Sequence, residues 1–149
     1  AEHLRALEGD PRVTMIGFPE DTPRLYAAMN VVVLPTYREG FPNVPLEAAS
    51  MGKPVIATRV PGCIDAVEEG VTGLLVEARD VATLEEAMVR YGRDRELRET
   101  HGANGRARVV KSFLREAIWD AIAERYLALT GGSPSRARIG AAGAGSRGA

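Results

Sequence analysis

The chain predicts an α/β domain with a parallel sheet, and three observations carry that expectation. Short apolar runs rich in β-branched residues, around Val13, Val32, Ile56 and Leu75, alternate four times with segments of helical spacing. Such alternation implies parallel strands joined by right-handed crossovers. The stretches between the runs carry Gly, Pro, Asp and Thr where turns and helix starts are needed. The 149 residues, 45% apolar and 26% charged, have the size and balance of one domain with a real core.

Leu4 and Leu7 can close a short helix before the Gly9-Asp10-Pro11 turn. Val13-Thr14-Met15-Ile16 reads as the first strand, with Gly17-Phe18-Pro19-Glu20-Asp21 as the loop at its carboxyl end. Thr22 can cap a helix starting at Pro23, with Leu25, Ala28 and Met29 on its apolar face and Asn30 at its end. Val31-Val32-Val33-Leu34 is the second strand. Leu46-Glu47-Ala48-Ala49-Ser50-Met51 reads as a helix stopped by Gly52. Val55 to Ala57 is the third strand, and a short helix around Ile64 to Val67 follows Pro61-Gly62. Leu74-Leu75-Val76 is the fourth strand, after the Thr72-Gly73 turn. Asp80 or Thr83 caps the next helix, whose apolar face is Leu84, Ala87, Met88 and Tyr91. From about Arg95 to Leu129 the chain is helical, with Leu114, Ile118, Ile122, Tyr126 and Leu129 at helical spacing. Residues 131–149 are Gly, Ala, Ser and Arg with no acidic residue, and are expected to be a disordered tail.

Composition excludes some functions. A formal net charge of −1 argues against a nucleic-acid binder, which needs a basic excess. The single cysteine, Cys63, rules out an internal disulfide and suits a reducing, cytoplasmic compartment. No apolar run approaches the roughly 18–20 residues of a membrane span, and no signal peptide opens the chain. It begins at Ala1 without Met and is expected to be a fragment.

The chemistry concentrates in Glu39-Gly40-Phe41-Pro42-Asn43-Val44-Pro45-Leu46-Glu47. Pro42 and Pro45 remove backbone donors and disfavour helical geometry before them. Gly40 permits a sharp turn or close approach to a ligand. Strand, irregular loop and helix start then place the segment at the carboxyl edge of a parallel sheet, where such folds bind ligands. The helix start offers free amides and a positive dipole end to an anion. Glu47 has two readings: a carboxylate accepting the paired hydroxyls of a ribose, or a favourable charge near a helix start. Glu39 can accept hydrogen bonds from sugar hydroxyls, stabilise positive charge as a glycosidic bond breaks, or be a solvated loop acid.

Other candidates are weaker. Arg38 and Lys53 read as surface cations. His3 and His101 lack partners at metal-ligand spacing, so no metal site is expected. Cys63 reads as a small buried residue rather than a reactive thiol. Trp119 and Tyr126 read as packing residues.

The nine-residue segment resembles the E-x7-E signature of GT-B glycosyltransferases, most closely the large retaining family 4. The resemblance extends to Leu34-Pro35 before it, Ala48 after it and Gly52-Lys53-Pro54-Val55-Ile56-Ala57-Thr58. Pro61-Gly62 and Glu69-Gly70-Val71-Thr72-Gly73-Leu74-Leu75-Val76 resemble the same family's later blocks, so the match runs from about Arg12 to about Tyr126. It implies a Rossmann-like fold over residues 1–130, the nucleotide-sugar-binding carboxyl-terminal domain, incomplete at its amino end. It implies that Glu47 binds ribose, that Glu39 lies beside the donor sugar, and that Gly40, Phe41, Pro42 (by its carbonyl), Asn43 and Val44 contact sugar or phosphate. Gly17 and Phe18 occupy the place where family members hold the nucleobase. Phe18 can stack on it or belong to the core.

The implied parent reaction moves a sugar from a nucleoside diphosphate, with a lean toward UDP-hexosamine, to a glycan or lipid-linked acceptor in cell-surface polysaccharide synthesis. No cofactor or metal is implied. Complete members neutralise the diphosphate with an Arg and a Lys that nothing before Arg12 supplies here. The acceptor-binding domain, through which any peripheral membrane association would arise, is likewise expected to lie outside this fragment. This chain alone is therefore expected to be inactive. The alternatives are a nucleotide-binding module without catalysis and a fragment of a nucleotide-sugar epimerase of related fold.

Overall fold

The computed structural model describes residue 5 and residues 7–130. The expected helix end at Leu4 and the tail beyond residue 130 lie outside the described residues, as does His3. Two units are distinguished: residues 1–110 form the first, and the chain from Lys111 onward forms the second.

The first unit is built on a three-stranded parallel sheet, Val32–Leu34 (β1), Val55–Thr58 (β2) and Gly73–Val76 (β3), in the order β1-β2-β3. Val32 pairs with Val55 and Leu34 with Ala57; Val55 pairs with Gly73 and Thr58 with Val76. Alternate side chains sort cleanly to two faces, as the period of two requires. Val32, Leu34, Val55, Ala57 and Leu75 join one apolar cluster with Tyr26, Ala48, Val60, Cys63 and Val67. Val31, Val33, Ile56, Leu74 and Val76 join the other with Leu84, Ala87, Tyr91 and Leu97. The central strand is buried along its whole length, which is why Val55-Ile56-Ala57 reads as an unbroken apolar run.

The expected first strand does not form. Residues 13–16 join no ladder, and Met15 and Ile16 are exposed. Val13, Thr14 and Ile16 carry the propensity, but β-propensity reflects packing on a pleated surface, and here no strand pairs with them. The sheet therefore has three strands among the described residues, not four.

Thr22–Ala28 (α1) starts one residue earlier than expected. The Asp21 carboxylate, not Thr22, caps it by accepting from the Arg24 amide at 3.1 Å. Its buried residue is Tyr26, while Ala28 is exposed. Asn43–Ser50 (α2) starts three residues before the expected Leu46. Pro45 sits within its first turn, where no intrahelical donor is required, so it does not delay the helix. The helix closes on Gly52 at φ +68, with the Gly52 amide donating to Ala49 and the Lys53 amide to Ala48, both at 2.9 Å. Cys63–Ala66 (α3) follows β2. Val81–Arg93 (α4) is capped by Asp80, which accepts from the Thr83 amide at 3.1 Å. On α4, Ala87 and Tyr91 are buried and Leu84 is half-buried, but Met88 is exposed.

Arg95–Ser112 (α5) runs along the amino edge of the sheet. Asn104 donates to the Val71 carbonyl at 3.1 Å and Arg106 to that of Ser50, both just before strands β3 and β2. A Cβ on Gly102 would lie 2.1 Å from the Gly52 carbonyl oxygen, so helix and turn touch backbone to backbone. Buried His101 ties α5 to α4: its Nδ1 lies 2.7 Å from the Tyr91 hydroxyl, and it also hydrogen-bonds the Gly70 backbone. Burial first, then the Arg90 charge, lowers the imidazole pKa, so neutral His101 accepts from the Tyr91 phenol. Its role is structural.

In the second unit, Arg115–Thr130 (α6) follows Leu114 and carries Ile118, Ile122, Tyr126 and Leu129 at the expected spacing, but all five are exposed. Trp119 and Tyr126, expected to be packing residues, are exposed on this helix. Among the described residues no helix is long and apolar enough to cross a membrane.

Candidate functional site

The carboxyl edge of the sheet lies opposite α5, and the chain leaves β1 there. Thr58, buried at the end of β2, pins that exit: its hydroxyl accepts from the Thr36 amide at 2.9 Å and donates to the Thr36 carbonyl. Three residues on, Glu39 is half-buried and Gly40 and Phe41 are exposed. The loop after β2 supports this turn from below. Gly62, at φ +84, lies against it so closely that a Cβ would fall 2.0 Å from the Gly40 carbonyl oxygen and 3.3 Å from that of Glu39. Only glycine fits that contact and that backbone conformation.

Pro42 then stands at the helix cap and Pro45 in the third helical position. A helix leaves four amides unpaired at its start, and here two of those positions are prolines. The amides of Asn43 and Val44 are what remains to meet an anion. Asn43 and Val44, assigned to the loop on sequence grounds, are thus the first turn of α2. Ala48 packs α2 onto the sheet and Ala49 lies against Gly105 of α5, while Glu47 is exposed. Glu47 follows Asn43 by four residues, so its carboxylate leaves the helix one turn on from the two amides.

Glu47 is held. The Tyr26 hydroxyl donates to its Oε2 at 3.0 Å, across 21 positions of sequence. Tyr26 is 7% exposed. Burial, reinforced by the Glu47 carboxylate, pushes its phenol up to about 12, so it remains a donor at neutral pH. Cys63 is fully buried beneath the site, and its thiol is raised by burial and then by the Glu39 charge. That environment makes it inert, in keeping with a small packing residue.

Gly17 turns at φ +69, and Phe18 is wholly exposed, which removes the core alternative for its ring. Lys53 lies at the other edge, before β2, where its Nζ donates to the Ala27 carbonyl at 3.1 Å. Arg38 is exposed near the motif. Among the described residues no group of three or more His, Cys, Asp or Glu side chains is arranged to hold a metal ion.

Comparison with known proteins fits this geometry. Residues 1–94 match the family described as "Glycosyl transferases group 1". The chain belongs to that family. It is 42% identical over 120 residues to the capsular polysaccharide biosynthesis glycosyltransferase CapM of Staphylococcus aureus, covering 80% of this chain and 32% of CapM. The crystal structure of Anabaena HepE in complex with UDP superposes with a TM-score of 0.80 at 30% identity, over 85% of this chain and 35% of HepE. Sucrose-phosphate synthase of Thermosynechococcus elongatus superposes with a TM-score of 0.79 at 37% identity, over 89% of this chain and 34% of that protein. The chain thus spans about a third of the length of the relatives it matches. These are GT-B glycosyltransferase neighbours, and the α/β, Rossmann-like expectation holds.

Sequence reasoning missed Tyr26, Thr58 and the reason for Gly62. Thr58 carried a signal, a hydroxyl closing an apolar strand. Tyr26 carried none, because its partner is reached only through the fold.

Proposed function

We propose that this chain is the donor-binding part of a glycosyltransferase that moves a sugar from a nucleoside diphosphate to a glycan or lipid-linked acceptor in polysaccharide synthesis. The observation that carries the reading is one helix start. It presents the Asn43 and Val44 amides at its start and the tethered Glu47 carboxylate one turn on, with the half-buried Glu39 in the loop before it. Phosphate suits the amides, ribose hydroxyls suit Glu47, and the donor sugar lies by Glu39, whose charge stabilises positive charge developing at the sugar. The UDP held by HepE and the polysaccharide role in the name of CapM support a uridine donor and a glycan product. A hexosamine as the sugar, retention at the anomeric carbon, reaction without a metal and a cytoplasmic location complete the proposal.

The leaving diphosphate carries the largest charge developed in such a transfer, so its neutralisation governs the rate. Two helix amides neutralise it in part. Binding without turnover by this chain alone is therefore the second reading, favoured by the loss of two of the four first-turn donors to Pro42 and Pro45.

A titration of the chain with UDP and with UDP-glucose tests the site. Binding in the millimolar range, on the order of −4 kcal/mol, is expected. Glu47→Ala should weaken both ligands by about 1.5–3 kcal/mol, the worth of hydrogen bonds to a charged group, and so remove saturation in that range. Equal affinities before and after substitution would leave Glu47 as a helix-start charge and no more.

A further inference from the structure

We infer that Tyr26 is a positioning residue for nucleotide recognition: its hydroxyl aims the Glu47 carboxylate, and this tether makes binding depend on the ribose hydroxyls. The inference rests on the reading of Glu47 as the ribose acceptor.

Glu47 is exposed, and a free glutamate on a helix surface samples many rotamers. Ordering such a side chain on binding opposes affinity, so a carboxylate already held in place binds more tightly. Tyr26 can do the holding because its ring belongs to the core cluster with Val32, Ala48 and Val55. Its hydroxyl position is therefore set by packing. Among the described residues it is the donor that reaches the Glu47 carboxylate, at 3.0 Å to Oε2. That contact leaves Oε1 and the second lone pair of Oε2 open, which are the two acceptor positions that a pair of vicinal hydroxyls can use. The raised phenol pKa keeps the donor proton in place across the neutral range.

The tether also crosses elements. Tyr26 lies on α1, directly after the 17–21 loop proposed to meet the nucleobase, and Glu47 lies on α2. A hydrogen bond between them fixes the helix that follows the base-binding loop to the helix that holds the ribose.

The test uses the 149-residue chain and NMR titration with UDP and with its 2′,3′-dideoxy analogue, on wild type, Tyr26→Phe, Glu47→Ala and the double variant. Tyr26→Phe keeps the ring and removes only the hydroxyl. It is expected to weaken UDP about 3- to 10-fold, as loss of one charge-assisted hydrogen bond would. It should leave the dideoxy analogue unchanged and add nothing in the Glu47→Ala background. Equal loss for UDP and the dideoxy analogue would make Tyr26 a packing residue only and overturn the inference. UDP affinity unchanged in Tyr26→Phe but lost in Glu47→Ala would also overturn it, while leaving the ribose reading intact. No change in either variant would remove the ribose reading itself.

Discussion

Gly62→Ala is expected to lower stability by roughly 2–5 kcal/mol, the sum of backbone strain at a positive φ and of overpacking against a neighbour that cannot rotate away. Gly62 holds φ +84, and a Cβ there would lie 2.0 Å from the Gly40 carbonyl oxygen and 2.7 Å from its carbon. Both atoms are backbone, so relief requires the Glu39–Gly40 turn to move. The chain has two ways to respond. If the turn stays, the melting temperature falls, by on the order of 10 °C. If the turn yields, stability is partly recovered but Glu39 is displaced, and affinity for UDP-glucose falls further than affinity for UDP. Thermal unfolding and the two titrations distinguish these responses. A Gly62→Ala variant that melts and binds like wild type would show that the close contact does not shape the site.

Gly102→Ala is the second large effect, and its sign runs against helix propensity. Alanine normally stabilises a helix interior by about 1 kcal/mol over glycine. Here the added Cβ would meet the Gly52 carbonyl oxygen at 2.1 Å and its carbon at 2.8 Å. The cost of forcing α5 off the turn that ends α2, about 1–3 kcal/mol or somewhat more, should exceed the gain in propensity. Gly92, in the last turn of α4, has nothing within 4 Å of its would-be Cβ and serves as the control. Gly92→Ala should raise the chemical-denaturation midpoint slightly, and Gly102→Ala should lower it clearly. Changes of the same sign would mean that α5 does not rest on Gly52 through glycine.

The two glycines show what a sequence can and cannot disclose. Pro61-Gly62 stands out as a block in the chain, but the reason for Gly62 is a loop more than twenty residues away, and only the fold brings Gly40 onto it. Tyr26 is hidden for the same reason: an aromatic residue in an amphipathic helix reads as core, and its ring is core, but its hydroxyl serves Glu47. Local signals fared better. The strands around Val32, Ile56 and Leu75 were legible because two-sided burial leaves unbroken apolar runs. The Gly52 stop, and a cap at Asp80 or Thr83 that the structure assigns to Asp80, were legible because their hydrogen bonds are made within a few residues. Residues 13–16 misled because strand propensity alone does not supply a partner. Asn43-Val44-Pro45 misled because proline disrupts helix interiors but not first turns. The spacing of Glu39 and Glu47 was visible at once, and the structure sets both at the carboxyl edge, the first half-buried, the second exposed and tethered.

If the nucleotide sugar is held at this edge, it lies along the first turns of α2. Amide correlation spectra of the chain, recorded with increasing UDP-glucose, report that placement residue by residue. Saturable shifts are expected at Gly40, Phe41, Asn43, Val44 and Glu47, extending to Gly17 and Phe18, with Gly102 and Val71 unmoved. At the amino edge lies a cleft of about 310 Å³, lined by Asn30, Lys53, Arg95, Arg98 and Glu99, and a diphosphate could be drawn to its cations. Shifts centred on that cleft, with Asn43 and Val44 silent, would place the nucleotide sugar at the amino edge instead.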